Sequence, residues 1–322
     1  MTSSDPFAPA LLEGGRFSNP SGRSARPFKD VLRWMWTRKR SVWPEIATNP
    51  PAPKPIDRVN DGTIRVTPVG HATVLIQVAG LNIITDPVWS RCAGPFPWLG
   101  VKRIRPPAIA FDDLPKIDTI LLSHNHYDHL DRATIAALTK RDAPLLLTGK
   151  QTSGPKASPL AVELDWWQSD VLNKAVRVTY VPAEHFSGRG PFDRNKNLWG
   201  GFVLETPAGN IYFAGDTGDG THFAAIREKF GPVRLSLIPI GAYEPRWFMS
   251  PIHINPAEAV AASLTLESAV TLAIHFGTFH LADDGFDSPE RELEQAIAAV
   301  RQRGLDIDFR VPVFGAPIVL TP

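Results

Sequence analysis

The chain has 322 residues, of which 43% are hydrophobic and 21% charged, and its formal net charge is +1. Those fractions are ordinary for a packed globular protein, and the near-zero charge gives no electrostatic case for nucleic-acid binding. The single cysteine, Cys92, excludes a disulfide framework and a thiolate zinc site. Neither a signal-peptide pattern nor an apolar run of roughly 18 residues is present, so we expect a cytoplasmic protein, either soluble or peripheral on a membrane.

Residues 1–57 predict an arm, not a domain. Pro27 would begin a short helix over Phe28–Trp36, where apolar residues recur at helical spacing. Tryptophans interleave with cations in Arg33–Trp43, a composition typical of a helix that lies on a membrane surface. The alternative is a helix that packs on the body of the same protein and keeps its charges in solvent.

The body, residues 58–322, is predicted to begin with strands after the proline-rich link Pro50–Pro55. A second proline cluster, Pro95–Pro107, predicts an extended, ordered loop. Asp86 follows the third strand and so brings a carboxylate to the edge of the sheet, whereas His71 lies in a turn near the same edge. The three strands are predicted over Thr63–Pro68, Ala72–Val78 and Leu81–Thr85.

The segment Ser123–His129, which we call the metal loop, follows the buried strand predicted at Ile117–Leu122. It holds three of the chain's nine histidines, which disfavours an incidental surface loop. Alternate side chains of an extended segment share a face, so His124 and His126 can hold one ion together. Asp128 and His129 come where the chain turns into a predicted helix, Ala133–Arg141, and can face a second ion. Such a cluster suits Zn²⁺, although Mn²⁺ or Fe would also fit.

The pattern His-x-His-x-Asp-His in the metal loop resembles the signature of the metallo-β-lactamase superfamily. That superfamily needs further ligands downstream, each after its own β-rich segment. Three residues meet this requirement in the right order: His185, Asp216 and His275. In the same pattern Asp86 supports the ligands from behind. It accepts a hydrogen bond from the ring N–H of a ligand histidine, on the side of the ring that faces away from the metal.

The resemblance implies two ions at one edge of the fold. We assign His124, His126 and His185 to one ion, Asp128, His129 and His275 to the other, and Asp216 to a bridging position. The fold it implies is α+β, an αββα sandwich of two mixed β-sheets flanked by helices. The remaining predicted elements are a hairpin over Trp199–Thr206 and Asn210–Ala214, strands at Ala143–Thr148, Val176–Pro182, Leu235–Ile240 and Ala269–Ile274, a helix capped by Asn255 with Glu258, and a helix from Ser288 to about Arg303.

Longer motifs within residues 58–287 resemble the N-acyl-phosphatidylethanolamine-hydrolysing phospholipase D family. They are Val69–Thr73, Thr85–Pro87, Leu164–Trp167, Phe213–Gly218, Gly241–Met249, His253 and His275–Phe279, with weaker extensions at Gly15–Pro20 and Val31–Trp34. The resemblance implies a di-zinc enzyme that works at a membrane. It would cleave the distal phosphodiester of a phospholipid and release an N-acylethanolamine and phosphatidic acid.

The candidate site follows from the ligands and the resemblance. The catalytic candidates are Asp128, Asp216 and His253, and the supporting candidates are Asp86 and His71. The substrate-binding candidates are Tyr127, Tyr243, Arg246, Trp247 and Phe248. Arg246 can pair with a phosphate, and the aromatic rings around it are compatible with lipid. The alternative for Arg246 is an internal ion pair within a packed loop.

The ligand set indicates hydrolysis but leaves the substrate open. Two ions activate water and withdraw charge from a phosphoryl or a carbonyl oxygen, so a lactone or another small ester is the alternative substrate. A different class is an inactive membrane-binding module, against which the complete ligand set argues. The expected partners are a phospholipid and a membrane surface, without nucleic acid; a homodimer is one candidate assembly, and the sequence leaves the oligomeric state open.

Overall fold

The computed structural model describes residues 5–152, 160–190 and 192–321. The strands are β1 (Leu12–Glu13), β2 (Arg16–Phe17), β3 (Ile64–Gly70), β4 (Thr73–Val78), β5 (Leu81–Thr85), β6 (Cys92–Phe96), β7 (Leu99–Lys102), β8 (Thr119–Leu122), β9 (Leu145–Gly149), β10 (Ala161–Leu164), β11 (Ser169–Val171), β12 (Arg177–Val181), β13 (Gly201–Glu205), β14 (Ile211–Phe213), β15 (Leu235–Pro239), β16 (Val270–Ile274), β17 (Phe309–Arg310) and β18 (Ile318–Leu320). The α-helices are α1 (Phe28–Thr37), α2 (Arg132–Asp142), α3 (His222–Phe230), α4 (Arg246–Met249), α5 (Pro256–Thr265) and α6 (Ser288–Arg301).

Two seven-stranded sheets form the body. Their strand orders are β10-β9-β8-β5-β4-β3-β18 and β11-β12-β13-β14-β15-β16-β17. Both sheets are mixed: the run from β5 to β10 through β8 and β9 is parallel, as is the run from β14 to β17. The other pairs in each sheet are antiparallel. The predicted α+β class with two mixed sheets is therefore confirmed.

The sheets pack face to face, with helices on their outer faces. Because successive side chains of a strand point to opposite faces, neighbours in β4 belong to different layers: Ile76 lies between the sheets and Leu75 faces outward. The outer face of the first sheet meets α2 through Ile135 and Leu138, and that of the second meets α3, α5 and α6. Burying one such side chain stabilises the fold by roughly 1.5–3 kcal/mol.

Capping residues hold the helices beside the sheet edge. The side chain of Asn255 accepts a hydrogen bond from the N–H of Glu258, whose carboxylate accepts one from the N–H of Asn255, which is the predicted capping box. Asp131 caps α2 by accepting from the N–H groups of Ala133 and Thr134. The metal loop therefore enters α2 at a defined point.

Several short elements differ from the sequence-based expectation, and β10, β11, β17 and β18 are among those that were not predicted. Within Pro95–Pro107, where an extended loop was predicted, β7 pairs with β6 in an antiparallel hairpin. Pro95 and Pro97 interrupt the alternation that would have indicated these strands. Helices α3 and α4 were not predicted, because α3 spans only nine residues and has Ala224 where a capping box needs Glu or Gln, and α4 spans only four.

The arm lies against the body. Trp34 of α1 stacks on Phe248, with ring centroids 5.0 Å apart, and donates its Nε1–H to Asp283 over 2.8 Å. This is the alternative that the sequence left open for the helix. The opposite side of α1 leaves Phe28 and Trp36 69% and 92% exposed. The boundary at residue 57 stays a prediction.

No helix in the described ranges is both long and apolar enough to cross a bilayer.

Candidate metal centre

The site forms where the carboxyl ends of several strands meet. Strands β5 and β8 are parallel neighbours, as are β14, β15 and β16, and parallel strands end at the same edge of a sheet. Strand β12 runs in the same direction as β14, because each is antiparallel to β13. The residues that follow these strands at the common edge are Asp86, the metal loop, His185, Asp216 and His275.

The backbone at this edge departs from ordinary conformations. His71, Asp86 and His275 have left-handed φ values of 55°, 31° and 62°, and such conformations cost of order 1–3 kcal/mol each outside glycine. The N–H of His275 donates to the carbonyl oxygen of His71 over 2.9 Å, and this backbone hydrogen bond links the two strained segments. At Gly215 a Cβ atom would lie 2.7 Å from Cβ of Ser123, so only glycine lets the Asp216 turn approach the metal loop.

His124, His126, His185 and Asp216 form what we call the first ligand group, with ligand atoms all within 4.8 Å of one another. Nδ1 of His126 lies 2.8 Å from Nε2 of His124 and 3.2 Å from Nε2 of His185. Oδ2 of Asp216 is 3.9 Å and 3.7 Å from the same two Nε2 atoms. His185 donates from Nδ1 to the carbonyl oxygen of Ile252 over 2.8 Å, which leaves Nε2 for the centre.

Asp128, His129 and His275 form the second ligand group, together with His71. Oδ2 of Asp128 lies 3.3 Å from Nε2 of both His129 and His275. Oδ2 of Asp216 also reaches this group, at 3.1 Å from Nε2 of His129 and 3.2 Å from Nε2 of His275. Asp216 thus stands between the two groups, as a bridging carboxylate would.

Asp86 supports both groups from behind. Its Oδ2 accepts from Nδ1 of His129 and from the hydroxyl of Ser123, each over 2.6 Å, and its Oδ1 accepts from the N–H of Ser123. Because the Ser123 hydroxyl donates to Asp86, Nδ1 of His124 is the donor in its 2.9 Å contact with that hydroxyl. Both histidines therefore present Nε2 to the centre.

The protonation states are largely those of metal ligands. Burial lowers the pKa of His126 to about 3 and that of His185 to about 4, so both imidazoles are neutral. Burial would raise the pKa of Asp128 and Asp216, but the nearby charge of His129 outweighs it and holds both well below the ordinary value. Asp216 offsets burial at His275 and raises its pKa to about 9. A cation between the groups would take the place of that proton.

The unpaired atoms of the site also fit a cation. Nε2 of His129 and Oδ1 of Asp216 are buried without a hydrogen-bond partner, and an unsatisfied buried polar group costs about 1–3 kcal/mol. Imidazole nitrogens and carboxylate oxygens together suit Zn²⁺, Mn²⁺ or Fe. Ions held there would supply Lewis-acid activation of water and of a phosphoryl or carbonyl oxygen.

Two further histidines lie in the centre. Nε2 of His71 is 3.0 Å from Oδ2 of Asp128, so His71 is closer to the ligands than its place in a turn indicated. The ring of His253 lies 5.1 Å from that of His185 and 5.5 Å from that of His275, measured between centroids. Nδ1 of His253 is buried and has no hydrogen-bond partner.

The substrate-binding candidates divide into two sets. Arg246 forms the internal ion pair: Nη2 donates to both carboxylate oxygens of Glu258, over 2.9 Å and 2.7 Å, and Nη1 donates to the carbonyl oxygen of His253. The structure thus forms the ion pair that was predicted as the alternative for Arg246, with both Nη atoms engaged, and a role in substrate binding stays a prediction. Tyr243 and Phe248 are buried, so they support the loop and do not border an open groove. Trp247 stays partly exposed.

Tyr127 and a residue that sequence reasoning missed, Arg189, border the metal loop. The Arg189 guanidinium lies 3.9 Å from the centroid of the Tyr127 ring, and Tyr127 donates its hydroxyl to the carbonyl oxygen of Arg189 over 2.7 Å. Nη1 of Arg189 donates to the carbonyl oxygens of Asn125 and Leu130. An arginine four residues after a ligand histidine gave no signal in the sequence, because the contact depends on the folded loop.

Comparison with known proteins agrees with this geometry. A family profile described as "Beta-lactamase superfamily domain" matches residues 81–276. The Caenorhabditis elegans protein named N-acyl-phosphatidylethanolamine-hydrolyzing phospholipase D 1 is 37% identical over 254 residues, which cover 75% of this chain and 71% of that protein. The mitochondrial protein of that name from Saccharomyces cerevisiae is 38% identical over 225 residues, or 67% of this chain and 48% of that protein.

A solved structure supports the fold alone. The metallo hydrolase Igni18 from Ignicoccus hospitalis superimposes with a TM-score of 0.60 at 21% identity, over 80% of this chain and 98% of that chain. The family match covers more than half of the chain, and the relatives at 37% and 38% identity are named as phospholipases D. This chain is therefore a metal-dependent hydrolase of the beta-lactamase superfamily and belongs, within it, to the N-acyl-phosphatidylethanolamine-hydrolysing phospholipase D family.

Proposed function

We propose that the protein hydrolyses the distal phosphodiester of N-acyl-phosphatidylethanolamine and releases an N-acylethanolamine and phosphatidic acid. The observation that carries the proposal is the 37% identity, over 75% of this chain, to a nematode protein named for that hydrolysis. Two zinc ions are the proposed cofactors, with Mn²⁺ or Fe as alternatives that the same donors accept.

In this proposal the chain's own residues orient water and handle its proton. The water oxygen attacks phosphorus, the bond from phosphorus to the ethanolamine oxygen breaks, and that oxygen takes up a proton. Asp128 has an ionised carboxylate whose Oδ2 is engaged by three imidazoles, and in this proposal its other oxygen, Oδ1, accepts the proton from water. Burial keeps the pKa of His253 well below the ordinary value, so in this proposal its neutral ring donates a hydrogen bond to a phosphate oxygen.

The phosphodiester is anionic and needs positive charge beyond that of the ions. Arg246 cannot supply it without breaking its pair with Glu258. Arg189 is the proposed source, because its Nη1 is bonded to carbonyl oxygens and not to a carboxylate, and because it stacks on Tyr127, which lies between the ligands His126 and Asp128 in the chain. An arginine at the rim of the metal loop would favour a phosphate over a neutral ester.

Peripheral attachment to an anionic membrane is part of the proposal. Trp36 on the outer face of α1 is 92% exposed, and Lys29 and Arg33 lie on the same helix. At the end of the β6–β7 hairpin, Phe96 and Trp98 stack on each other with centroids 5.4 Å apart, and Trp98 is 77% exposed. Exposed aromatic rings beside cations suit the headgroup region of an anionic bilayer. A cytoplasmic location and a homodimer stay predictions.

The test is turnover on a panel of substrates by protein loaded with zinc. N-acyl phospholipids, ordinary phospholipids and lactones should be offered under the same conditions. We expect N-acyl phospholipids to be cleaved fastest and the activity to disappear after metal removal. Faster cleavage of a lactone would favour the small-ester alternative.

A further inference from the structure

A turn of the arm, Ser18–Arg23, lies against the strand end that carries the ligand His185. We call it the arm turn. Its position is anchored by the residue just before it: Phe17 is buried between the sheets, and its N–H donates to the carbonyl oxygen of Asn195 over 2.8 Å. The arm therefore reaches the interior of the protein before it returns to the surface at α1.

Asn19 of the arm turn contacts His185 directly. Its Oδ1 accepts two hydrogen bonds, from the backbone N–H of His185 and from Nε1–H of Trp199, each over 2.9 Å. Its Nδ2 donates to the carbonyl oxygen of Arg23 over 2.8 Å. The side chain is therefore hydrogen-bonded at both ends, and Asn19 is only 7% exposed.

A second residue of the arm turn contacts the neighbour of His185. Ser21 donates from its backbone N–H to Oε1 of Glu184 over 2.9 Å and from its hydroxyl to Oε2 over 2.5 Å. Glu184 is fully buried, so this carboxylate depends on Ser21 for its partners. Two successive residues at the end of the β12 segment are thus held by the arm.

These contacts matter because His185 lies beyond the sheet. Strand β12 ends at Val181, so no ladder bond to a neighbouring strand accepts the N–H of His185. The imidazole is held at Nδ1 by Ile252, and the backbone is held by Asn19. A ligand must stay within about 0.5 Å of its productive position, and the hydrogen bonds behind it provide that precision.

We propose that Asn19 is a positioning residue for the metal ligand His185, and that the arm thereby completes the metal centre. The inference rests on the metal centre and not on the identity of the substrate. It assigns the arm a role that the membrane hypothesis does not include, since the buried arm turn and the exposed face of α1 are different parts of the arm.

The test compares three variants for zinc affinity, by competition with a coloured chelator, and for Tm with and without zinc. Asn19→Ala removes the acceptor, Asn19→Asp keeps an oxygen in its place, and Asn195→Gly is the matched control. Asn195 donates from Nδ2 to the carbonyl oxygen of Phe17 over 3.2 Å, has a φ of 59° that glycine tolerates, and touches no ligand. The control therefore loses one side-chain bond to the same arm.

We expect Asn19→Ala to weaken the affinity for one of the two zinc ions by about tenfold, the lower end of the range for partners that support metal ligands. The rise in Tm on adding zinc should shrink in Asn19→Ala but not in Asn195→Gly, and Asn19→Asp should recover most of the affinity. Equal losses of Tm with and without zinc, at unchanged affinity, would overturn the proposal. If Asn19→Ala does not fold, Asn19→Asp provides the test. A zinc affinity of Asn19→Asp as low as that of His185→Ala would also overturn the proposal. A wild-type protein that binds no zinc would overturn the metal centre itself.

Discussion

His129 donates from Nδ1 to Oδ2 of Asp86 across 2.6 Å, and both residues are fully buried. The same carboxylate holds Ser123, which in turn accepts from His124. One buried aspartate thus sets the tautomer of a histidine in each ligand group, and Nε2 of both rings faces the centre. These hydrogen bonds hold Asp86 in its strained backbone conformation, at a φ of 31°, at the end of β5.

Replacing Asp216 tests whether one carboxylate joins the two groups. Asp216→Asn keeps the shape, but a neutral amide cannot bridge two cations. We expect the variant to hold at most one zinc ion per chain and to lose more activity than any single histidine variant of the centre. Elemental analysis and turnover check this. Two bound ions with near-normal activity would show that Asp216 does not bridge.

The outer face of α1 offers a test of membrane attachment that spares the metal centre. Trp36→Ala should weaken binding to anionic vesicles by roughly tenfold, since burying a large apolar side chain is worth roughly 1.5–3 kcal/mol. Cleavage of a short-chain, soluble substrate should not change. Val171→Ala, at another exposed apolar residue, is the control. Deleting the whole arm would not be informative, because it would also remove Asn19.

The two arginines near the site should behave differently. Arg246→Ala should reduce stability by about 1–3 kcal/mol, because it leaves Glu258 without its partner, and it should slow phosphodiester and lactone cleavage to the same extent. Arg189→Gln should slow the phosphodiester more than the lactone, because a neutral substrate has no anionic oxygen to pair. The ratio of kcat/KM for the two substrates measures this. If this ratio changed in Arg246→Ala and not in Arg189→Gln, Arg246 and not Arg189 would be the residue that contacts the phosphate.

His222 should make stability depend on pH. It is buried beside Thr217, to which its Nε2 is bonded over 3.1 Å, and burial lowers its pKa from 6.5 to about 3. Between these values the unfolded chain binds a proton that the folded chain does not, so stability falls as the pH drops below 6.5. The loss should be about 1.4 kcal/mol per pH unit for this residue alone. Urea unfolding of His222→Gln should therefore show a shallower pH dependence than the wild type; parallel curves would contradict the assignment.

The sequence predicted most of the residues that meet at the candidate centre, because these residues follow strand ends. His124, His126, Asp128 and His129 share one loop, and that loop has a recognisable spacing. The distant ligands each follow an apolar strand, so the topology of parallel strands brings them to one edge. The structure adds the reason they stay there, namely the hydrogen bonds of Asp86 and the close approach permitted by Gly215.

Other features depend on contacts that no local pattern records. The arm turn reaches His185 across 166 residues of sequence, and Arg246 meets Glu258 on the following helix. The local sequence shows that Arg246 lies among aromatic residues, but it does not show which carboxylate forms an ion pair with the guanidinium. Phe248 is buried for a related reason, since α1 covers it through Trp34.

The most direct test of the account is hydrolysis of N-acyl-phosphatidylethanolamine by zinc-loaded protein in water labelled with heavy oxygen. We expect an N-acylethanolamine and phosphatidic acid in equal amounts, with the label in the phosphate of phosphatidic acid, because water attacks phosphorus. A chelator should abolish the reaction, and added zinc should restore it. Label in the N-acylethanolamine, or no cleavage by protein that carries two metal ions, would contradict the proposed reaction.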